Sequence, residues 1–307
     1  MSTPKIVVIG SANVDLVARV PYLPEAGETL LGSAFFQTMG GKGANQAVAA
    51  AKLGAEVTLI ARVGDDMYGA ACRAAYEKAG VKTLALQTTP LAPTGIALIA
   101  VADSGENHII VVSGANAHLS PEDVEKHSEA IRSADAVLLQ LEIPLETVEK
   151  AVEIAHSAGR RIILNPAPYR PLSRALLEKI SVLTPNLTEA EKMLGGALAG
   201  DDRVLAQSLL GLGPQSLVLT LSARGALAAG SWGQARIPAL PVTPLDTTGA
   251  GDAFSAALAV ALAEGKALDQ AARFASVVSG LAVTREGAQS GLPSRAEVEA
   301  HLGDLPA

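Results

Sequence analysis

Ala44-Asn-Gln-Ala-Val-Ala-Ala-Ala-Lys-Leu53, closed by Gly54 and followed by Val57-Thr-Leu-Ile-Ala61, reads as a helix, a stop and a strand. Alanine is the strongest helix former, and a glycine just past the last periodic residue ends the helix. The apolar run after it is short enough to be a buried strand. The same alternation extends outward in both directions. Ile6–Gly10 is an earlier strand of the same type. Tyr68–Ala79, closed by Gly80, reads as a helix, and Ala136–Leu141 and Arg161–Leu164 flank a helix over Leu145–Ser157. Val182–Thr184 and Leu217–Leu221 continue the series. Strands separated by helices predict an α/β fold, with a doubly wound, mainly parallel sheet and helices on both faces. Ligands of such sheets bind beyond the carboxyl ends of the strands.

Two segments break the alternation. Asp15–Phe36 holds strand-like pieces at Leu16–Val20 and Thr29–Gly32 but no helix. Thr94–Ala102 and His108–Ser113 read as a hairpin turning at Asp103-Ser-Gly-Glu-Asn107. Together they form either a small inserted β-sheet that serves as a lid or an irregular edge of the main sheet. With no repeat, linker or boundary in view, residues 1–307 read as a single α/β domain, with lid strands from about 15–36 and 94–113.

The chain has 307 residues, 49% of them hydrophobic, which is ample for a large core. A net charge of -7 and the lack of a Lys/Arg cluster argue against a nucleic-acid partner. Aromatics at 3% leave little for stacking bases. The single cysteine, Cys72, excludes an internal disulfide framework and a thiolate zinc site. Met1-Ser-Thr-Pro-Lys5 leads directly into a strand without the layout of a signal peptide. No run reaches the roughly 18 apolar residues of a membrane span. A soluble, cytoplasmic protein without a membrane partner is expected.

The richest chemistry lies in Asp246-Thr-Thr-Gly-Ala-Gly-Asp252, ahead of a helix over Ala253–Ala263. Gly249-Ala250-Gly251 lets the backbone approach a ligand, and the first N–H groups of the helix point outward to an anion. Asp252 stands where it could take a proton from a hydroxyl attacking phosphorus. A capped helix start explains the same residues if no substrate site accompanies them.

Such sites are found at other strand ends. Asn13 and Asp15 follow Ile6–Gly10 two residues apart, hence on one side of an extended chain, suited to a pair of sugar hydroxyls or to an Asx-turn. Gly40-Gly-Lys-Gly-Ala-Asn45 lets the main chain lie against a ligand, with Lys42 adding charge and Asn45 an amide. Its spacing is not that of a P-loop, nor does a dinucleotide fingerprint follow the first strand. Glu142 ends another strand. Asn186 and Glu189 share one face of a helix start, as a capping box, a water-mediated magnesium site or both. Thr220-Leu-Ser222-Ala-Arg-Gly225 fits either a nucleotide contact or a hairpin turn.

Gly40-Gly-Lys-Gly-Ala-Asn-Gln-Ala47 and Asp246-Thr-Thr-Gly-Ala-Gly-Asp252 resemble the two signatures of the ribokinase-like (PfkB) carbohydrate kinases. The resemblance covers nearly the whole chain, and the form of the first signature is similar to that of the ribokinase branch. It implies transfer of the ATP γ-phosphoryl group to the 5-hydroxyl of D-ribose. It also implies Asp252 as general base and Gly249, Ala250 and Gly251 as the anion hole. Ribose contacts fall to Asn13, Asp15, Gly41, Lys42, Asn45 and Glu142. Asn186, Thr220, Ser222, Gly225, Gly251 and Ser276 fall on the nucleotide side, with Glu189 near Mg2+ through water. Asp246, Thr248, Ala282, Arg285, Gly287 and Gly291 match a loop that holds K+, largely by backbone carbonyls. A homodimer clasped through the lid sheets is implied as well.

Two positions depart from the family pattern. Ser276 stands where a longer Asn or His near adenine is usual, and Gly291 where Ser is common. Other sugar kinases of the same fold, for fructose, deoxyribose or ketodeoxygluconate, and a non-catalytic sugar-binding regulator remain open alternatives.

Overall fold

The computed structural model describes residues 3–196 and 201–306, so the terminal Met1 and Ser2 lie outside it. β1 (Lys5–Ile9), β2 (Asn13–Val20) and β3 (Ala34–Gly40) precede α1 (Lys42–Lys52), β4 (Glu56–Gly64) and α2 (Met67–Lys78). Short strands β5 (Val81–Lys82) and β6 (Leu86–Thr89) lead to the hairpin of β7 (Gly95–Ala102) and β8 (Asn107–Val112). Helices α3 (Pro121–Lys126) and α4 (Ser128–Arg132) come next, then β9 (Ala136–Leu139), α5 (Leu145–Ser157) and β10 (Arg161–Leu164). After α6 (Arg174–Leu177) come β11 (Val182–Leu183), α7 (Leu187–Met193), α8 (Asp202–Leu210) and β12 (Ser216–Thr220). The strands end with β13 (Ala226–Gly230) and β14 (Gly233–Ile237), before α9 (Ala250–Ala263), α10 (Leu268–Ala282) and α11 (Arg295–Ala300).

The main sheet runs in the order β14-β13-β12-β11-β10-β9-β1-β4-β5, with β6 also paired to β4. Its pairs are parallel from β12 through β5, and β13 and β14 close one edge antiparallel. Side chains alternate between two cores, as the two-residue period of a strand requires. Ile6, Val8, Leu138 and Ile163 join the helices α1, α9 and α10 on one face. Val7, Ile9, Leu139 and Ile162 join α5, α7 and α8 on the other. A sheet covered on both faces explains why its strands are continuous apolar runs. The α/β expectation is met.

Strand order reverses between β1 and β9. The chain moves outward from β1 to β4 and β5, then returns beside β1 at β9 before moving out the other way. A crevice opens at such a reversal, beyond the carboxyl ends of the strands.

A second sheet has the order β3-β2-β7-β8, with β2 and β7 parallel and the other pairs antiparallel. One expected strand is corrected here: Thr29–Gly32 belongs to no strand, and the partner of β2 is instead Ala34–Gly40. The signal was misread because Ala34-Phe-Phe-Gln-Thr-Met-Gly40 lacks a two-residue alternation and its first four residues are exposed. The helix expected from Ala253 begins at Ala250, because Gly249 takes the left-handed conformation (φ 75°) that caps it.

Candidate active site

Asp252 sits in the first turn of α9, buried beneath the crevice. Ala250 N–H donates to Thr247 O at 3.2 Å, while helix geometry leaves the next amides, of Gly251 and Asp252, without an intrahelical carbonyl. A Cβ on Gly249 would stand 3.0 Å from the Ala288 side chain and 3.1 Å from its Cα, so the turn needs glycine for space as well as for φ. These amides face a cavity of about 220 Å³ that Lys42, Asn186, Glu189, Thr220 and Asp252 also line.

Two consecutive residues of α1 hold the carboxylate. Asn45 Nδ2 donates to Asp252 Oδ2 and Gln46 Nε2 to Oδ1, each at 3.0 Å. Burial raises the Asp252 pKa above the ordinary carboxylate value; the Lys42 ammonium and the two amides pull it back, and Glu142 adds to the rise. Attraction to Asp252 is the main reason the Lys42 pKa is raised.

α1 is brought there by close backbone approach. Gly41 has φ 87°, and a Cβ on Gly43 would meet the backbone of Gly10 and Ser11 at 2.6 Å. Glu142, one turn past β9, accepts from Ser11 Oγ at 2.5 Å and from the Lys42 amide at 3.0 Å. It therefore ties the ends of β1, β9 and α1 together where the strand order reverses.

Asn13 and Asp15 open β2. Asn116 Nδ2 donates to Asn13 Oδ1 at 2.7 Å, which fixes that amide. Asp15 makes no side-chain hydrogen bond among the described residues and rests where a Cβ on Gly40 would be 2.2 Å away. Burial pushes its carboxyl up to about 7, with repulsion from Glu142 and Asp252 adding to the rise.

On the opposite wall, Asn186 and Glu189 form a reciprocal capping box at the start of α7. Glu189 accepts from the Asn186 backbone and side chain, both at 3.0 Å. Burial raises its pKa, against the Asn186 bond and the charge of Lys42. Thr220 bridges to Asn186. Ser222 and Gly225 lie on the turn between β12 and β13, where Ser222 has φ 52° and a Cβ on Gly225 would meet Ile237 O at 2.0 Å. Ser276, on α10, is not part of the cavity wall; its hydroxyl donates to Pro238 O at 2.6 Å.

Asp246 braces the loop behind the glycine turn. Its carboxylate accepts from Thr248 N at 2.9 Å and Gly287 N at 2.8 Å, so its role here is to hold two backbone segments together. The carbonyl oxygens of Gly287, Ala282 and Arg285 converge beside Gly291, where a Cβ would lie 2.8, 3.0 and 3.2 Å from them. Arg285 turns its guanidinium to Glu297 at 2.5 Å, leaving only its carbonyl to this cradle. Backbone carbonyl oxygens are the donors a monovalent cation takes, and of these three the Gly287 oxygen also accepts from Gly291 N at 2.9 Å. Glu189, with both oxygens already in hydrogen bonds, fits a magnesium ion that keeps its water shell. Among the described residues, no three His, Cys, Asp or Glu side chains are grouped to hold a metal directly.

Of the residues singled out by sequence, Lys42, Asn186, Glu189, Thr220 and Gly249–Asp252 line the cavity, Asn45 is bonded to Asp252, and Gly225 and Ser276 both abut Pro238 outside it. Sequence reasoning missed Gln46, Gln140 and Asn165, which lie beneath Asp252. The signal available was the buried amide itself: Gln46 and Gln140 stand in otherwise apolar stretches.

A buried carboxylate in a glycine-capped helix start, across from polar groups at the strand ends, suits phosphoryl transfer to a hydroxyl. The chain matches the pfkB family carbohydrate kinase model over residues 3–295, and it belongs to that family. It is 44% identical to a ribokinase of Bacillus subtilis, over 96% of this chain and 98% of that protein. It is 37% identical to a deoxyribokinase of Salmonella typhimurium, over 97% of this chain and 98% of the relative. A structure of Arabidopsis thaliana ribokinase complexed with ribose and ATP superposes with a TM-score of 0.89 at 32% identity, covering 98% of this chain and 99% of the other. The resemblance seen in the two signatures is borne out in sequence and in fold.

Proposed function

We propose that this protein phosphorylates D-ribose at the 5-hydroxyl, with ATP as donor. The observation that carries the reading is the Asp252 carboxylate, held by two amides at 3.0 Å beside free helix N–H groups. As the sugar O5 attacks the γ-phosphorus, its proton passes to Asp252. The O5–P bond forms, and the bond from phosphorus to the β–γ bridging oxygen breaks, leaving ADP. Charge on the transferring group meets the glycine turn Gly249-Ala250-Gly251, where the Gly251 and Asp252 amides are free, and the Lys42 ammonium, the positioning and electrostatics on which phosphoryl transfer depends.

Asn13, Asp15, Gly41, Asn45 and Glu142 are our assignment for the sugar, with Asp15 as the free acceptor for a hydroxyl. Asn186, Thr220, Ser222 and Gly225 are our assignment for the nucleotide. Glu189 would hold Mg2+ through its water shell, which would neutralise phosphate charge, and the carbonyls of Ala282, Arg285 and Gly287 would hold K+, which would add positive charge. The chain acts as one α/β unit whose second sheet closes over the sugar, excluding water as a competing acceptor. Its use of ATP makes the cytoplasm the location we propose. No helix among the described residues is long and apolar enough to cross a membrane.

One face of the second sheet also exposes Phe35, Leu98, Ile110 and Val112. An uncovered apolar sheet face of this kind supports a homodimer clasped through it. Analytical ultracentrifugation should give a dimer that Ile110→Glu converts to monomer; a monomeric parent protein would refute this arrangement.

ADP release against D-ribose, 2-deoxy-D-ribose, D-fructose and ketodeoxygluconate, with and without potassium, tests the function. Ribose is expected to be the best acceptor and potassium to stimulate. A clear preference for another sugar would overturn the choice of substrate, and ribose binding without ADP formation would favour a regulator.

A further inference from the structure

Beneath Asp252 lies a directed chain of buried amides. Gln46 and Gln140 are fully buried and Asn165 nearly so. Gln46 Nε2 donates to Asp252 Oδ1 at 3.0 Å and approaches Asn165 Oδ1 at 3.4 Å. Gln46 Oε1 in turn accepts from Gln140 Nε2, and Asn165 Nδ2 donates to Thr184 O at 3.2 Å. Gln140 Oε1 is a buried oxygen without a partner. It occupies the space where a Cβ on Gly10 would stand 1.9 Å away.

An ionised carboxylate only accepts hydrogen bonds. Gln46 must therefore present its NH₂ to Asp252 and its carbonyl oxygen to the rear. Gln140 must then donate, and its own oxygen goes unpaired. Turning Gln140 over would free that oxygen only by setting acceptor against acceptor at Gln46. A buried unpaired oxygen is costly and calls for a reason. Here the reason is the orientation of the amide in front of it.

We propose that Gln46, braced by Gln140, is a positioning residue that sets the orientation of the Asp252 carboxylate toward the attacking hydroxyl. The inference rests on Asp252 being the base of the proposed reaction. Gln46 contacts neither substrate; it acts through Asp252. The charged groups around Asp252 are Lys42 on α1, Glu142 after β9, Asp15 on β2 and Glu189 on α7. All four remain in place when Gln46 or Gln140 is changed, so a shift in titration reports the amides.

The test compares Gln46→Leu and Gln140→Met with the parent enzyme. It reads kcat against pH, KM for ribose and ATP, and unfolding in urea. Loss of a hydrogen bond to a charged group should move the acid limb of kcat to higher pH by about one unit or more in Gln46→Leu. Gln140→Met should move it less in the same direction, with both KM values little changed. An unmoved acid limb in both variants, with only stability reduced, would overturn the proposal. Should Gln46→Leu fail to fold, Gln140→Met carries the test. The ¹³C titration of the Asp252 carboxyl, assigned by its loss in Asp252→Asn, reads the same shift without turnover. An upward shift by NMR in a protein that phosphorylates no sugar would uphold the amide chain and refute the function; the converse result would do the reverse.

Discussion

On the side assigned to the sugar, Asn13, Asn45 and Asp252 are buried and already hydrogen-bonded. On the side assigned to the nucleotide, Ser222 is exposed on a hairpin turn and the Ser276 hydroxyl is bound to Pro238 O. The sugar wall, Asp15 apart, is set before any ligand arrives; the other, beyond its Asn186–Glu189 capping box, offers backbone and hydroxyls. Such preorganisation holds the reacting hydroxyl close to its reactive geometry. On this assignment the nucleotide would be held mainly through its phosphates, by groups that tolerate a looser fit. Selectivity, on the same assignment, would lie on the sugar side.

The largest expected effect breaks the contrast at its centre. Asp252→Asn should cut kcat by about 10²–10⁴-fold, the usual worth of a general base. Ribose affinity by calorimetry should persist, since Asn13, Asp15 and Asn45 remain.

Asp15 gives the next effect, through pH. With its pKa about 7, the carboxyl is largely protonated below neutrality and accepts a hydroxyl proton poorly. Ribose affinity should therefore fall as pH drops below about 7. The folded pKa exceeds the ordinary 3.8, so the folded state binds this proton more tightly than the unfolded chain. The stabilising effect of that proton is complete below pH about 4 and is lost as pH rises through about 7. Asp15→Asn should then raise Tm at pH 8 and leave it nearly unchanged at pH 4. Equal shifts at both values would contradict this account.

The smallest effect sharpens the nucleotide side. Ser276→Ala removes a hydrogen bond to Pro238 O and should cost about 1 kcal/mol of stability. KM for ATP should not change. A marked rise in that KM would put the Ser276 hydroxyl on the nucleotide after all.

The parallel sheet was legible because strands buried on both faces are short apolar runs, as in Ile6–Ile9 and Ala136–Leu139. β3 was not, because Phe35 and Phe36 are exposed, contrary to the rule that places such residues inside. The residues we assign to the reaction come from glycine spacing and from polar groups at strand ends. Gln46 was not legible in this way, since its partner Asp252 lies 206 positions away and only its amide among alanines marks it. Ser276 was read only from its place in the family pattern, and its hydroxyl here donates to Pro238 O.

The account stands most directly on the identity of the product. ³¹P NMR of the protein with ATP, magnesium, potassium and D-ribose should show a phosphomonoester coupled to the C5 protons of ribose, growing in step with ADP. ADP accumulating with inorganic phosphate and no sugar phosphate, or phosphate on another hydroxyl, would contradict it.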